Sequence, residues 1–289
     1  MTHPHLSPFD DLTRLAPPPD ALLAHVLSGR QEGELVVFLP SSGMSSRQWK
    51  KLAEDLGNTH RTLAVDLSGT GANPPWPADA PFHFHDDVAA VARLVDSVAG
   101  PATRFHVVGH SYGGLVGLTL ARVLPSRILS IAAFEPVAMG ILHDANDTEG
   151  LAELARVERN RAFFDATTGG TEPWMKAFVE YWNGEGAWDW LPDPAKASML
   201  AVGRKVFLEV TSLLRDRTGL AAYRAIEAPA SFLTGAVSPR AAGRVVELAA
   251  AGFVKGSSHR FEGVGHMAPV TNAALVNPVI AAHVRAASG

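Results

Sequence analysis

A chain of 289 residues with 47% hydrophobic composition has enough apolar surface to bury a large core, which excludes a disordered or fibrous protein. Its 25 basic and 29 acidic residues give a net charge of −4 with no Lys/Arg block, so neither nucleic-acid binding nor a polybasic membrane anchor is expected, and a small neutral partner is favoured. Cysteine is absent, which removes disulfides, thiolate catalysis and thiolate metal ligands, and suits a reducing cytoplasm as the expected location.

The opening residues, Met1-Thr2-His3-Pro4-His5, lack the basic start and apolar core of a signal peptide, and no run of about 18 apolar residues predicts a membrane span. From Leu6 to Asp20, Pro17-Pro18-Pro19 imposes an extended lead-in, since proline cannot continue a helix. Short apolar runs of β character follow at Leu22–Leu27, Leu35–Leu39, Thr62–Val65, Phe105–Val108, Ile128–Phe134, Ala230–Thr234 and Ser257–Phe261. Between them, amphipathic patterns predict helices at Ser46–Leu56, Phe84–Ala99, Gly114–Leu124, Pro239–Ala251 and Asn272–Ala287. This alternation predicts an α/β fold: a mostly parallel sheet with helices on both faces.

Residues 138–225 break the alternation, with helical periodicity and no convincing strand, and read as a helical cap inserted between core segments 1–137 and 226–289. Trp174, Phe178, Tyr181 and Trp182 recur there at helical spacing, and Trp188 and Trp190 follow on a Gly-rich turn. Such a stripe is either the packing face of the cap or a wall against a substrate; on the second reading Trp174, Phe178, Trp182 and Trp188 are substrate contacts. The twelve histidines show no H-E-x-x-H spacing, so no metal site is expected and most are ordinary surface or core residues.

The most informative stretch is Gly109-His110-Ser111-Tyr112-Gly113-Gly114, between the β run ending at Val108 and a small-residue helical run closed by Pro125. It reads as a nucleophile elbow, in which a serine occupies a strained strand-to-helix turn and flanking glycines let neighbouring backbones approach. A late Gly265-His266 pair, after the last β run and before the last helix, supplies a histidine in the order this arrangement uses.

With these landmarks in order, the chain resembles the α/β-hydrolase superfamily over nearly its whole length after the lead-in. Val36 to Gly43 is similar to the family's strand and oxyanion turn, and Asp66-Leu67-Ser68-Gly69-Thr70-Gly71 to its D-x-x-G-x-G turn. The resemblance implies an inserted helical cap, Ser111 as nucleophile and His266 as its general base, because a neutral serine hydroxyl needs a base within hydrogen-bond reach. It also implies an oxyanion hole from the backbone N–H groups of Tyr112 and Ser42. Pro40 stands where the family carries histidine and Ser41 where it carries glycine, and Ser41 either contacts substrate or satisfies turn backbone groups.

The acid departs from the common pattern, since Gly235-Ala236-Val237-Ser238 puts a serine at the position where most members carry aspartate. One strand earlier, Glu135 follows Phe134, at a place where some superfamily enzymes carry their acid; Glu262 near the histidine loop is the other candidate. A serine nucleophile argues against epoxide hydrolase and haloalkane dehalogenase chemistry, which uses aspartate. It suits acyl transfer to water, so a cofactor-free serine hydrolase of a small apolar ester or lactone is expected. An acyltransferase or carbon–carbon bond hydrolase with the same residues, and a ligand-binding protein on the same scaffold, are the alternatives. Gly69-Thr70-Gly71 lacks the glycine spacing of a dinucleotide turn, and the sequence leaves the oligomeric state open.

Overall fold

The apolar runs pair into a seven-stranded sheet of order β1-β3-β2-β4-β5-β6-β7. The strands are β1 (His25–Gly29), β2 (Leu35–Leu39), β3 (Arg61–Val65), β4 (Phe105–His110), β5 (Ile128–Phe134), β6 (Ala230–Gly235) and β7 (Gly256–Phe261). The computed structural model describes residues 21–77 and 79–289, so the expected lead-in from Leu6 to Asp20 lies outside the described residues. β1 runs antiparallel to β3, and every other pairing is parallel. The first strand starts three residues later than the apolar run at Leu22 predicts, because it is an exposed edge where backbone pairing with β3 sets the bounds.

Alternate residues of each central strand point to opposite faces, and both faces are covered. Val36, Phe38, Val108, Ala132 and Leu233 pack with Trp49, Leu52 and Leu56 and with Val276, Ile280 and Val284 of the C-terminal helix. Their neighbours Val37, Leu39, Val107, Ile131 and Phe232 join a larger cluster with Val91 and Leu94 of helix Phe84–Ala99 and with Val245 of helix Arg240–Gly252. The helix expected from Ser46 begins as a 3₁₀ turn, Ser46–Trp49, before Lys50–Leu56. The last one spans Ala273–Ala286, and a short helix that was not expected, Ala268–Thr271, precedes it.

Between β5 and β6 the chain forms helices Gly140–Asp144, Thr148–Arg159, Glu172–Asn183, Asp193–Ala201 and Gly203–Arg215, with no strand among the described residues. Ion pairs Arg244–Asp147 and Arg240–Glu149, each at 2.6 Å, tie helix Thr148–Arg159 to helix Arg240–Gly252. Among the described residues no helix is long and apolar enough to cross a membrane. The parallel register lines up the C-terminal ends of β2, β4, β5, β6 and β7 on one edge, where open α/β sheets place their ligands.

Candidate active site

β4 passes into helix Tyr112–Val123 through one residue, Ser111, at φ 54° and ψ −117°. A side-chain-bearing residue pays strain at positive φ, and the surroundings hold it there. The Ser111 N–H donates to the Phe134 carbonyl at 2.9 Å, and its own carbonyl accepts from the Leu115 N–H at 3.1 Å. A Cβ on Gly113 would stand 2.4 Å from the carbonyl oxygens of Leu39 and Pro40, so the turn after β2 closes on the elbow only because that residue is glycine. At the mouth of this turn, the N–H groups of Ser42 and Tyr112 donate no hydrogen bond to another backbone group among the described residues. The Tyr112 N–H is one of the orphan donors of a helix N-terminus.

Glu135 follows β5 directly, at φ 43° and fully buried. Its Oε1 accepts from the Gly235 N–H and the Thr234 hydroxyl, both at 2.8 Å, so the end of β6 holds the carboxylate. Its Oε2 lies 2.6 Å from His266 Nδ1. Burial pushes the Glu135 carboxyl up, but the bond and charge of His266, the nearby Ser238 and the Gly235 N–H outweigh it and hold the group below its ordinary value. An ionised Glu135 accepts a hydrogen bond from the Nδ1–H of His266, which leaves its Nε2 lone pair as the basic site.

The imidazole is fixed from two further sides. Trp182 stacks on it with centroids 3.7 Å apart and planes 18° apart. On the backbone side, His110 Nε2 lies 2.8 Å from the His266 carbonyl, and His110 Nδ1 lies 3.0 Å from Gln48 Nε2. Gln48 Oε1 in turn accepts from the Ser41 N–H at 3.1 Å. Burial drives the His110 pKa well below its ordinary value, so the ring is neutral. Only one tautomer satisfies every contact: Nε2–H donates to His266, and Nδ1 accepts from the Gln48 amide. The turn after β2 and the loop carrying His266 are thereby coupled through the half-buried Gln48 and the buried His110.

Ser111 lines the inner of two neighbouring spaces that have wall residues in common. The inner one, about 40 Å³, is walled by Ser42, Ser111, Met139, Phe178, Trp182 and Leu214 among others. The outer cleft, about 830 Å³, carries Glu153, Arg156, Asn160 and Ser238, and shares Tyr181 and Trp182 with the inner chamber.

Glu135 thus meets His266, and Ser111 shares a chamber with Ser42 and with Trp182, which stacks on His266, while the other predicted residues divide. Phe178 and Trp182 line the chamber. Trp174 and Trp188 do not, and the expectation that they contact substrate is corrected. Trp174 is buried between Phe163 and Phe178, with its indole N–H on the Phe163 carbonyl, and Trp188 packs under Lys196. Trp190 is 89% exposed. Ser41 is buried and spends its N–H on Gln48 rather than facing the chamber, which corrects its reading as a substrate contact. Glu262 is exposed and pairs with Arg260, away from the imidazole.

Sequence reading named Tyr181 in the aromatic stripe and His110 in the elbow without giving either a role, and it missed Gln48 and a buried ionic cluster behind the elbow. Lys205 Nζ lies 2.9 Å from Asp87 Oδ2 and 2.7 Å from Glu209 Oε1, and the Tyr112 hydroxyl donates to Asp87 Oδ2 at 2.7 Å. This cluster ties helix Gly203–Arg215 to the residue after Ser111. The Lys205/Glu209 pair, four apart within an amphipathic helix, was the one signal for it.

The family model of the Alpha/beta hydrolase family matches residues 36–279. The chain belongs to that family. Over 145 residues it is 32% identical to a RutD protein of Variovorax paradoxus strain S110, a match covering 50% of this chain and 53% of the relative. The chain thus spans about half the length of that curated relative. Among solved structures, a thermophilic esterase from Thermogutta terrifontis superposes with TM-score 0.69 and 18% identity over 92% of this chain and 94% of its own. MenH from S. aureus gives TM-score 0.68 and 17% identity over 91% and 98%.

Proposed function

We propose that this chain is a cofactor-free serine hydrolase that cleaves esters or lactones with a short apolar acyl group through an acyl-enzyme. The observation that carries the reading is the 2.6 Å contact between Glu135 Oε2 and His266 Nδ1, set beside a serine on a strained elbow. Ser111 Oγ attacks the substrate carbonyl while its proton passes to His266 Nε2. Glu135 stabilises the imidazolium that forms. The carbonyl oxygen, now negative, is received by the N–H groups of Ser42 and Tyr112, which need no reorganisation to meet it. The carbon–oxygen bond then breaks, the leaving alkoxide takes the proton from His266, and water repeats the sequence to free Ser111 and the acid.

The insertion between β5 and β6 acts here as a cap that shapes specificity. An apolar cavity of about 150 Å³ accepts benzene. The inner chamber, at about 40 Å³, is suited to an acyl group smaller than that, while the leaving group occupies the outer cleft. A fluorophosphonate probe should label Ser111, and turnover of aryl esters should be highest for acetyl to butyryl chains and fall for longer ones. Phe178→Ala should shift this optimum upward. Absence of labelling sinks the hydrolase reading, and a chain-length profile unchanged in Phe178→Ala sinks the assignment of the chamber to the acyl group.

The bond chain from Ser41 through Gln48 and His110 to His266 positions groups without touching substrate. Gln48→Ala should lower kcat by up to about 10²-fold, the scale of an ångström misplacement, with little change in KM. Equal kcat in wild type and variant would reduce the chain of bonds to packing.

A further inference from the structure

A second cluster of chemistry-bearing side chains sits at the opposite edge of the sheet from Ser111. Glu34 immediately precedes β2, His60 immediately precedes β3, and His106 is the second residue of β4, so the parallel register of these neighbouring strands sets them side by side. Ser288, beyond helix Ala273–Ala286, reaches over them. His106 Nε2 lies 3.3 Å from Glu34 Oε2 and 3.5 Å from Ser288 Oγ, and His60 Nε2 lies 2.8 Å from the same hydroxyl. One donor atom from each of Glu34, His60 and His106 lies within 4.8 Å of the others.

The protons of this cluster have two arrangements. In one, the Thr59 hydroxyl donates to His60 Nδ1 at 2.8 Å, His60 Nε2–H donates to Ser288 Oγ at 2.8 Å, and Ser288 donates to the Val284 carbonyl at 3.0 Å. In the other, Thr59 donates to the Leu56 carbonyl and accepts from His60 Nδ1, which leaves His60 Nε2 a bare lone pair facing the oxygen of Ser288 and close to the Glu34 carboxylate. A cation bound among these atoms selects the second arrangement: Ser288 still donates to Val284 and turns its lone pairs inward, and His106 donates from Nδ1 to Ser130 Oγ, 2.8 Å away.

We propose that Glu34 Oε2, His60 Nε2 and His106 Nε2, with Ser288 Oγ as fourth donor, form a binding site for a divalent transition-metal ion, with Zn²⁺ the ion their chemistry suits best. Two imidazole nitrogens and one carboxylate oxygen are a zinc donor set rather than one for Mg²⁺ or Ca²⁺, which take oxygen ligands. The second nitrogen of each imidazole is held by a hydroxyl, Thr59 for His60 and Ser130 for His106, as ring-orienting partners do in metal sites. Burial lowers the pKa of both histidines, that of His106 to about 4, which keeps them in the neutral form that binds metal. The Glu34 side chain is 35% exposed and gives the ion access from solvent. The ion would clip the end of the last helix and the loop before β3 to the sheet, independently of the chemistry at Ser111.

The test is calorimetric titration of Zn²⁺ into chelator-treated full-length chain carrying His3→Gln and His5→Gln, which removes two N-terminal histidines as competing ligands. One Zn²⁺ per chain is expected, with a rise in melting temperature and no change in short-ester turnover. Glu34→Gln, at the exposed rim, and His60→Gln should each weaken binding by about 100-fold or more, at least what losing an outer-shell partner costs. Mg²⁺ should not compete. Absence of saturable Zn²⁺ binding, or an affinity that Glu34→Gln leaves unchanged, overturns the site.

Discussion

Replacing Ser111 by alanine is expected to lower kcat for short aryl esters by about 10⁶-fold, the scale seen when a serine protease loses its nucleophile. What remains should still exceed the reaction in water by about 10³ to 10⁴-fold, because the N–H groups of Ser42 and Tyr112 stay in place. The fold should survive, since the strain at φ 54° is the same for alanine and the turn is held by the backbone bonds to Phe134 and Leu115. Steady-state kinetics and a thermal melt check both halves. An alanine variant that turns over like the wild type removes Ser111 from the mechanism.

Glu135→Gln should lower kcat by about 10⁴-fold, for a reason more specific than loss of charge. The Gly235 N–H and the Thr234 hydroxyl both point at Oε1, so the amide oxygen of glutamine must take that place. Its NH₂ group then faces His266 Nδ1 and forces that nitrogen to accept. The imidazole proton moves to Nε2, where the base must be free, and the wrong tautomer faces Ser111. Ser238→Ala should cost little, because Glu135 keeps its bonds to the Gly235 N–H, the Thr234 hydroxyl and His266. In the Glu135→Gln background, Ser238→Asp should restore part of the activity by offering a carboxylate beside the same imidazole. Glu262→Gln should be silent; if it is crippling and Glu135→Gln is harmless, the acid has been misassigned.

The elbow, the sheet and its covering helices were legible because each rests on a local rule. Gly109 and Gly113 are demanded by the close approach of backbones at one turn, and the β runs alternate with helices as a parallel sheet requires. Glu135 was legible only as one of two candidates. Choosing between it and Glu262 needed the strand order: β5 lies next to β6, whose end holds the carboxylate 131 residues along the chain from His266, while Glu262 turns to Arg260 in solvent.

The aromatic stripe marks the same boundary. Helical spacing correctly put Trp174, Phe178 and Trp182 on one helix, but periodicity does not say what packs against each turn of it. Phe163, a wall of the chamber, covers Trp174 and keeps it off that space, whereas Trp182, stacked on His266, lines the chamber itself. His110 lies in the elbow motif only at a position that the motif leaves open, Gln48 carries no motif, and neither do Glu34, His60 and His106, which come from three separate strand starts. By itself, the sequence determined the fold class and the residue types at each strand end, because turns and periodicity act over a few residues. Which of those side chains meet was decided by tertiary structure alone, because strand order and packing join positions that no local rule relates.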